Sequence, residues 1–350
     1  MERIQALLLE RELDALLITD LVNVRWLTGF PSTNALVVVT ADGLVLMTDF
    51  RYVAGARRSA RGAEVVQGKR DLVEDALALL PSGRIGFEDQ VMTVASYGRW
   101  VAAGGEGRSF VGLGGAVEGL RAVKTPAELA SIGAAVALAD DALRAVLERG
   151  LAGKRESDVA ALLEYELRAR GAQQASFPPI VAASDRSDSP HSAPTDAEIE
   201  RDTLVLIDFG VELDGFCSDG TRTYATGSVS DEMASVYELV RAAQAAGLDA
   251  VRAGVTGRDA DAAARSVIAE AGHAEHFGHG LGHGVGMKIH EEPRLTQRSE
   301  QVLEPGNVVS VEPGVYLEGR FGVRIEDLVA VTEDGHANFS SLPKELTVVD

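Results

Sequence analysis

The N-terminal part of the chain alternates between helical and strand-like hydrophobic periodicity. Apolar residues recur at helical spacing over Met1–Glu12. Short apolar runs between turn residues then predict buried strands, and the Asp42-Gly43 turn between two of them predicts a β-hairpin. The predicted strands are Asp14–Thr19, Ala35–Val39, Leu44–Thr48 and Arg84–Phe87. These elements predict an α/β domain over residues 1–120.

A helix start signal follows the predicted domain boundary. Thr125 can cap a helix, Pro126 suits the first helical position, and Glu128 completes a capping box. The amphipathic pattern then predicts a helix to about Arg149, which ends at Gly150. The second domain should therefore begin near residue 121.

The rest of the chain combines helices with two strand pairs. Helices are predicted over residues 156–170, 230–247 and 257–271. The strands Leu204–Val211 and Gly215–Tyr224 form one expected hairpin, and Val308–Leu317 and Val323–Thr332 form the other. Antiparallel hairpins among helices predict that residues 121–350 form one α+β domain.

Composition narrows the class of protein. The chain has 350 residues and a formal net charge of −20, which argues against nucleic acid or an anionic membrane surface as a partner. It contains no apolar run of membrane-spanning length, and its N-terminus lacks the pattern of a signal peptide, so we expect a cytoplasmic location. The single cysteine, Cys217, excludes an intramolecular disulfide and a multi-cysteine metal site.

Each predicted hairpin carries two carboxylates among strand-forming apolar residues. They are Asp208 and Asp219 in the first hairpin, and Glu312 and Glu326 in the second. Burial of such charges is costly unless they are paired or bound to metal. Opposed residues in a hairpin lie about 5 Å apart, so two adjacent hairpins would bring all four acids together. Two divalent ions would balance the four charges and leave room for a bridging hydroxide. Pairing of single acids with Arg222 or Arg324 is the alternative.

Histidines and glycines alternate in the segment Gly278–Gly286. His279 and His283 have the spacing of helical zinc ligands, but five glycines in these nine residues disfavour a helix. We therefore expect extended or turning backbone that approaches a metal or substrate closely. At least one histidine would be a ligand and others would line a pocket, although any one of them could be structural. His273, His276 and His336 are expected to be structural.

Several motifs together resemble the prolidase and aminopeptidase P family of "pita-bread" metallopeptidases. They are His279-Gly-Leu-Gly-His283-Gly-Val-Gly, Ile289-His290-Glu291, Val311-Glu312-Pro313-Gly314-Val315-Tyr316, Val323-Arg324-Ile325-Glu326-Asp327, and Asp208 with Asp219-Gly-Thr-Arg-Thr. Asn23–Phe30 and Thr48–Tyr52 resemble the creatinase-type N-terminal domain of that family. The resemblance covers nearly the whole chain. It implies a pita-bread catalytic domain behind an α/β N-terminal domain.

The resemblance also implies roles for individual residues. It assigns metal binding to Asp208, Asp219, His283, Glu312 and Glu326, with Asp219 and Glu326 bridging two ions. It assigns contacts with the substrate and the tetrahedral intermediate to His191, His279 and His290, a supporting role to Arg324, and a place at the substrate to Tyr316. The ions would be manganese, cobalt or zinc, which agrees with a ligand set of oxygens and one nitrogen. Glu312 would hold the nucleophile and pass its proton to the leaving nitrogen.

Within the family, substrate length separates two activities. An Xaa-Pro dipeptidase must bind a free C-terminal carboxylate, and Arg294 matches a prolidase arginine of that role, with Arg298 as a second candidate. These residues favour a prolidase. Aminopeptidase P, which accepts longer peptides, is the nearest alternative. Creatinase and a catalytically inactive binding protein are remoter alternatives, against which the complete ligand set speaks.

Two further expectations come from the resemblance. The protein should form a homodimer in which the N-terminal domain covers a partner's active site. The stretch Ser184–Ser189 is more charged than the family pattern, which usually has a glycine near Ser184. This difference would change the shape of the substrate loop and the pocket for the residue before proline.

Overall fold

The computed structural model describes residues 2–350 and divides into two compact units, Met1–Arg121 and Ala122–Asp350. We refer to them as the N-terminal and C-terminal units. Across the described residues, none of the helices combines the length and hydrophobicity that a bilayer span requires.

The N-terminal unit consists of six helices and six strands. In chain order they are α1 (Glu2–Glu10), β1 (Ala15–Ile18), α2 (Leu21–Thr28), β2 (Ala35–Thr40), β3 (Gly43–Thr48), α3 (Val53–Ser59), β4 (Glu64–Gln67), α4 (Val73–Leu77), β5 (Gly83–Phe87), α5 (Val94–Gly104), β6 (Arg108–Gly112) and α6 (Ala116–Ala122).

One mixed sheet organises the N-terminal unit, in the order β4-β3-β2-β1-β5-β6. Alternation along β1 places Leu16 and Ile18 in one apolar cluster and Ala15 and Leu17 in another. Helices pack on both faces, so every strand at the centre of the sheet is buried. The expected α1, β1, β5 and hairpin β2–β3 are confirmed. Met1, included in the predicted first helix, lies outside the described residues.

The C-terminal unit contains four longer helices and thirteen strands among its described elements. They are α7 (Pro126–Leu147), α8 (Glu156–Ala169), β7 (Gln174–Ala175), β8 (Ile180–Ala183), β9 (Thr203–Phe209), β10 (Val211–Leu213), β11 (Phe216–Cys217), β12 (Gly220–Thr226), α9 (Asp231–Ala250), α10 (Gly257–Glu270), β13 (Gly282–Gly284), β14 (Glu291–Leu295), β15 (Val308–Val311), β16 (Gly314–Leu317), β17 (Phe321–Arg324), β18 (Asp327–Val331) and β19 (His336–Asn338). Short 3₁₀ helices occur at Ser184–Asp188 and Ala274–His276.

The predicted start of α7 is confirmed in atomic detail. Thr125 Oγ1 accepts the backbone N–H of Glu128, and the Glu128 carboxylate accepts the N–H of Thr125. This reciprocal pair satisfies two amide groups that a helix start otherwise leaves without partners. Helices α7 and α8 bury their apolar faces against β8 and β9, whereas α9 and α10 cover residues of β15 to β18.

The first predicted hairpin is interrupted where its second carboxylate lies. Phe209 pairs with Gly220 in the β9–β12 ladder, and Glu212 pairs with Cys217 in the β10–β11 ladder. Both ladders share one register, but they belong to different sheets. The prediction of two continuous strands is wrong here, since the ladder passes from one sheet to another. At the break, Gly210 lies so close to Ser218 that an added Cβ would lie 2.1 Å from the Ser218 carbonyl oxygen.

The second predicted hairpin has the same kind of interruption. Val311 pairs with Asp327 in the β15–β18 ladder, and Gly314 pairs with Arg324 in the β16–β17 ladder. One register again continues across two sheets. At the break, the N–H of Glu312 bonds to the carbonyl of Leu281 at 2.8 Å, and that of Glu326 bonds to the carbonyl of Thr221 at 3.0 Å. The backbone groups released from the ladder are thus satisfied elsewhere.

Candidate metal centre and substrate cavity

Strand alternation in β9 turns Asp208 away from the apolar core. Val205, Ile207 and Phe209 pack against α7 and α8, so Asp208 projects from the opposite face. Its register partner is Thr221 of β12 and not Asp219, which lies in the break before that strand. The expectation that Asp208 and Asp219 face each other directly is therefore wrong, because the register pairs Phe209 with Gly220 and so places Asp219 opposite Gly210.

Tertiary packing nevertheless brings three of the predicted carboxylates together. One oxygen each from Asp208, Asp219 and Glu326 lies within 4.8 Å of the others. Thr221 donates its hydroxyl to Glu326 Oε2 at 2.7 Å, which orients the second hairpin's acid toward those of the first. The two interrupted hairpins therefore converge at their breaks.

A serine links the remaining predicted ligands, His283 and Glu312. The hydroxyl of Ser310 donates to Glu312 Oε1 at 2.9 Å and accepts the backbone N–H of His283 at 3.0 Å. His283 Nε2 lies 3.3 Å from Glu312 Oε1 and 3.5 Å from Asp219 Oδ2. All five predicted ligands consequently face one region.

The His283 ring is oriented as a metal-binding imidazole. Its Nδ1 lies 3.1 Å from the carbonyl oxygen of Gly284, which can only accept a hydrogen bond. Nδ1 therefore carries the proton, and the Nε2 lone pair points toward the carboxylates. Desolvation lowers the pKa of His283 to about 4, so the ring is neutral at physiological pH.

The buried carboxylates fit divalent cations. Desolvation and repulsion from neighbouring acids raise the pKa of Asp219 and of Glu326 well above the ordinary range. Desolvation also raises the pKa of Glu312. Asp208 Oδ1 and Glu326 Oε1 are buried without a hydrogen-bond partner within the described structure. Such orphaned oxygens are costly in a folded protein, and coordination of hard or borderline cations would satisfy them.

The carboxylates open onto a cavity of about 530 Å³. His191 and His290 are both exposed in its wall, and Arg294 contributes a side chain that is 42% exposed. Desolvation, followed by the proximity of His283, lowers the pKa of His290 to about 4, which makes this imidazole neutral. The apolar part of the wall is formed by Phe177, Pro178, Pro179, Ile180, Pro190, Ala193, Pro194 and Ile289.

Arg324 and Tyr316 connect the metal site with His279. Arg324 donates to Asp208 Oδ2 at 2.6 Å and to the Tyr316 hydroxyl at 2.8 Å. That hydroxyl lies 3.0 Å from His279 Nε2, whose other nitrogen faces the carbonyl of Gly280 at 2.8 Å. His279 and Arg324 line the cavity, whereas Tyr316 packs behind them. The expected place of Tyr316 at the substrate stays a prediction.

Two charged residues of Ser184–Ser189, Arg186 and Asp188, have protein partners and do not line the cavity. Arg186 donates to the buried Glu156 at 2.9 Å and to the carbonyl of Ala193 at 2.8 Å. Asp188 accepts the backbone N–H of Gly319. Ser184 has a φ of +54°, in the left-handed region that favours glycine. This conformation explains why the family pattern has a glycine there.

The glycines beside His283 allow β13 to pack closely against the neighbouring strands. A Cβ on Gly282 would lie 1.9 Å from the carbonyl oxygen of Ser310, and one on Gly284 would lie 2.3 Å from that of Glu292. The prediction of extended backbone is confirmed, and the close approach is to neighbouring strands. Its approach to a metal or substrate stays a prediction. Side chains at these positions would push His283 away from the carboxylates.

Several contributors to the site were not predicted from the sequence. Ser310 and Thr221 each lie two residues from a predicted ligand, at the spacing that shares a strand face. The polar side chain of Ser310 within the apolar strand β15 was a usable signal, whereas Thr221 lies among other polar residues of β12. The Phe177–Ile180 wall, by contrast, had no recognisable chemical signature.

The comparisons with known proteins agree with this geometry. Buried carboxylates and a neutral histidine beside a cavity define the site of a metal-dependent hydrolase. The profile of metallopeptidase family M24 matches residues 130–333, and that of the Creatinase/Prolidase N-terminal domain matches residues 1–123. The chain belongs to metallopeptidase family M24, and the predicted pita-bread fold is confirmed.

Individual relatives extend over the whole chain. An uncharacterized peptidase, YqhT, of Bacillus subtilis is 39% identical over 100% of this chain and 99% of its own. The structure of an Xaa-Pro dipeptidase from Bacillus anthracis is 39% identical, with a TM-score of 0.94 over 99% of this chain and 98% of that one. An X-Pro aminopeptidase structure from Thermotoga maritima is 34% identical, with a TM-score of 0.91 over 97% and 99%.

Proposed function

We propose that this metallopeptidase hydrolyses the bond before proline in Xaa-Pro dipeptides, using two divalent metal ions. The observation that carries the dipeptidase assignment is the place of Arg294 in the cavity wall. Arg294 is the register partner of His283, which ties it to the candidate metal centre through the β13–β14 ladder. Arg294 Nε lies 3.8 Å from Glu292 Oε1, which is longer than a hydrogen bond. The guanidinium can therefore form a bidentate pair with a substrate carboxylate.

The ions would be held by the five predicted ligands, Asp208, Asp219, His283, Glu312 and Glu326. When bound, divalent ions supply Lewis-acid polarisation of the scissile carbonyl and a water nucleophile of lowered pKa. Manganese, cobalt and zinc all suit a set of carboxylates with one imidazole.

The protein groups would carry out proton transfer and substrate orientation. Glu312 would accept the proton of the attacking water and deliver it to the proline nitrogen, which must be protonated to leave as an amine. Ser310 orients this carboxylate through its hydrogen bond. His191 and His290, neighbours in the cavity wall, would donate hydrogen bonds to the substrate, and His279 would contact the substrate from the wall beside Arg324.

Hydrolysis of a matched peptide pair tests the proposal. Purified protein is loaded separately with manganese, cobalt and zinc, and given an Xaa-Pro dipeptide and the same peptide extended by one residue. Preference for the dipeptide supports a prolidase. Preference for the longer peptide contradicts the dipeptidase assignment, and cleavage of neither with any metal contradicts the peptidase proposal and favours a binding protein.

Xaa-Pro aminopeptidase activity is the second candidate. It is supported by the similarity to the Thermotoga maritima structure, which is titled as an X-Pro aminopeptidase. In that case Arg294 would face solvent beside a longer peptide.

Three further expectations stay predictions: the homodimer, the cytoplasmic location, and the division into domains at residues 1–120 and 121–350. A monomer of full activity in solution would contradict the homodimer.

A further inference from the structure

An ion pair on α10 faces the segment that carries His279. Arg265 Nε lies 2.7 Å from Asp261 Oδ2, and its Nη2 lies 2.9 Å from Asp261 Oδ1. Asp261 is buried and the Arg265 side chain is 17% exposed. A paired fork of this kind fixes the guanidinium plane and leaves its other N–H groups pointing in defined directions.

Those remaining groups bind alternate backbone positions of the neighbouring segment. Arg265 donates to the carbonyl of Phe277 at 2.8 Å and to that of His279 at 2.7 Å. Asp261 Oδ1 accepts the N–H of Leu281 at 2.9 Å. One side-chain pair thus holds three backbone groups within five consecutive residues.

The same arginine also supports the His279 ring. Its guanidinium carbon lies 4.1 Å from the centroid of the Phe277 ring, as in a cation–π contact. Phe277 in turn presents its ring edge-on to His279, with centroids 5.0 Å apart. Arg265 therefore contacts His279 through both its backbone and its aromatic neighbour.

External support is needed because the segment lacks stiffness of its own. Gly278 and Gly280 flank His279, and glycine backbone has the largest conformational freedom to lose on folding. The Leu281 carbonyl also accepts the N–H of Glu312 at 2.8 Å. Movement of this segment would consequently displace a candidate catalytic histidine and the backbone of a candidate metal ligand together.

We propose that Asp261 and Arg265 are positioning residues that hold His279 in the cavity wall. The inference rests on the proposed function for its catalytic consequence, but the structural part stands without it. Arg265 acts through His279, so its contribution to turnover depends on the presence of that imidazole.

A double-mutant cycle tests this dependence. Arg265→Lys keeps the charge but loses the fork, and we expect kcat/KM for an Xaa-Pro dipeptide to fall at least tenfold at unchanged metal content. In a His279→Ala background, the same substitution should change kcat/KM less than threefold. Arg241→Lys is the matched control, because Arg241 pairs with Glu238 on the exposed face of α9. Equal losses in both backgrounds would show a general structural effect and overturn the proposal.

Hydrogen exchange provides a readout that needs no activity. In metal-loaded protein, Arg265→Lys should accelerate exchange in a peptide spanning residues 277–282, whereas Arg241→Lys should leave it unchanged. If the wild-type protein cleaves no Xaa-Pro peptide but exchange responds as expected, the proposed function fails and the structural part of the inference survives. An unchanged exchange rate in that peptide would contradict the inference, whether or not the protein cleaves Xaa-Pro peptides.

Discussion

Ser310 joins Glu312 to the His283 backbone through a single hydroxyl group, which donates to the Glu312 carboxylate at 2.9 Å. Ser310 lies in β15 and Glu312 directly follows that strand, where the chain leaves one sheet and enters another. The serine therefore couples the orientation of a candidate proton carrier to the strand that presents a candidate metal ligand.

Loss of the Ser310 hydroxyl should impair turnover more than folding. For Ser310→Ala we expect kcat/KM to fall about tenfold, because a hydrogen bond to a charged group contributes about 1.5–3 kcal/mol. Steady-state kinetics at saturating metal measure the effect. Ser266→Ala, which removes an exposed hydroxyl bonded to the carbonyl of Ala262, is the control. An unchanged rate for Ser310→Ala would show that Glu312 needs no such orientation.

Glu312→Gln should abolish hydrolysis while the fold persists. The amide cannot accept the proton of the nucleophile, and we expect kcat to fall by about 10³-fold, within the range typical of general acid–base groups. Metal content must be measured in parallel, since Glu312 is also a candidate ligand. Glu318→Gln, in an exposed turn, serves as control. A variant with bound metal and a near-normal rate would refute the proton shuttle.

Arg294→Ala should discriminate between substrates with and without a C-terminal carboxylate. We expect KM for an Xaa-Pro dipeptide to rise about 10- to 100-fold, from the loss of a charge-assisted hydrogen bond of about 1.5–3 kcal/mol. KM for the corresponding Xaa-Pro amide should hardly change. Arg298→Ala is the control in the same stretch, since Arg298 is exposed outside the cavity lining. Equal effects on both substrates would contradict the carboxylate clamp.

Gly282→Ala should destabilise the C-terminal unit. The new Cβ would lie 1.9 Å from the carbonyl oxygen of Ser310, which cannot move without breaking the β15 ladder. Overpacking of this kind costs about 1–3 kcal/mol. Calorimetric unfolding should show a lower midpoint for this variant. Gly335→Ala, where an added Cβ meets no atom within 4 Å, should unfold like the wild type. A wild-type midpoint for Gly282→Ala would mean that the strands separate freely.

Low pH should reduce the stability of the N-terminal unit, because it protonates the Asp49 carboxylate. Arg51 hydrogen-bonds to this carboxylate at 2.7 Å and, with help from Asn34, holds the pKa of Asp49 well below its usual range. A depressed folded-state pKa stabilises the fold above the ordinary carboxyl pKa of about 4, and the stabilisation is lost as pH falls toward the folded-state value. Asp49→Asn should therefore lower the unfolding midpoint at neutral pH.

The two tryptophans make this effect measurable in one unit. Trp26 and Trp100 both belong to the N-terminal unit, so their fluorescence follows its unfolding alone. The midpoints of wild type and Asp49→Asn should differ at neutral pH, and the difference should begin to shrink below about pH 4 and go on shrinking as the pH falls toward the folded-state pKa of Asp49. A difference independent of pH would indicate that the ionised carboxylate is not the source of the stabilisation.

The local elements and the chemistry of the site can be predicted from the order of residues along the chain. Helical periodicity and the Thr125 capping box predicted α7, and the Asp42-Gly43 turn predicted the β2–β3 hairpin, because these signals act within a few residues. Carboxylates inside apolar strands, together with a glycine-rich histidine segment, indicated a metal-binding site before any contact was known.

The breaks in the ladders and the contacts of each site residue depend on packing between distant parts of the chain. Strand register pairs Asp208 with Thr221, and packing of separate strands brings the Tyr316 hydroxyl to His279. The proton position on His283 and the support of His279 by Arg265 depend on carbonyl groups brought close by packing. Such contacts join residues distant in the chain, whose proximity no local pattern of polar and apolar positions encodes.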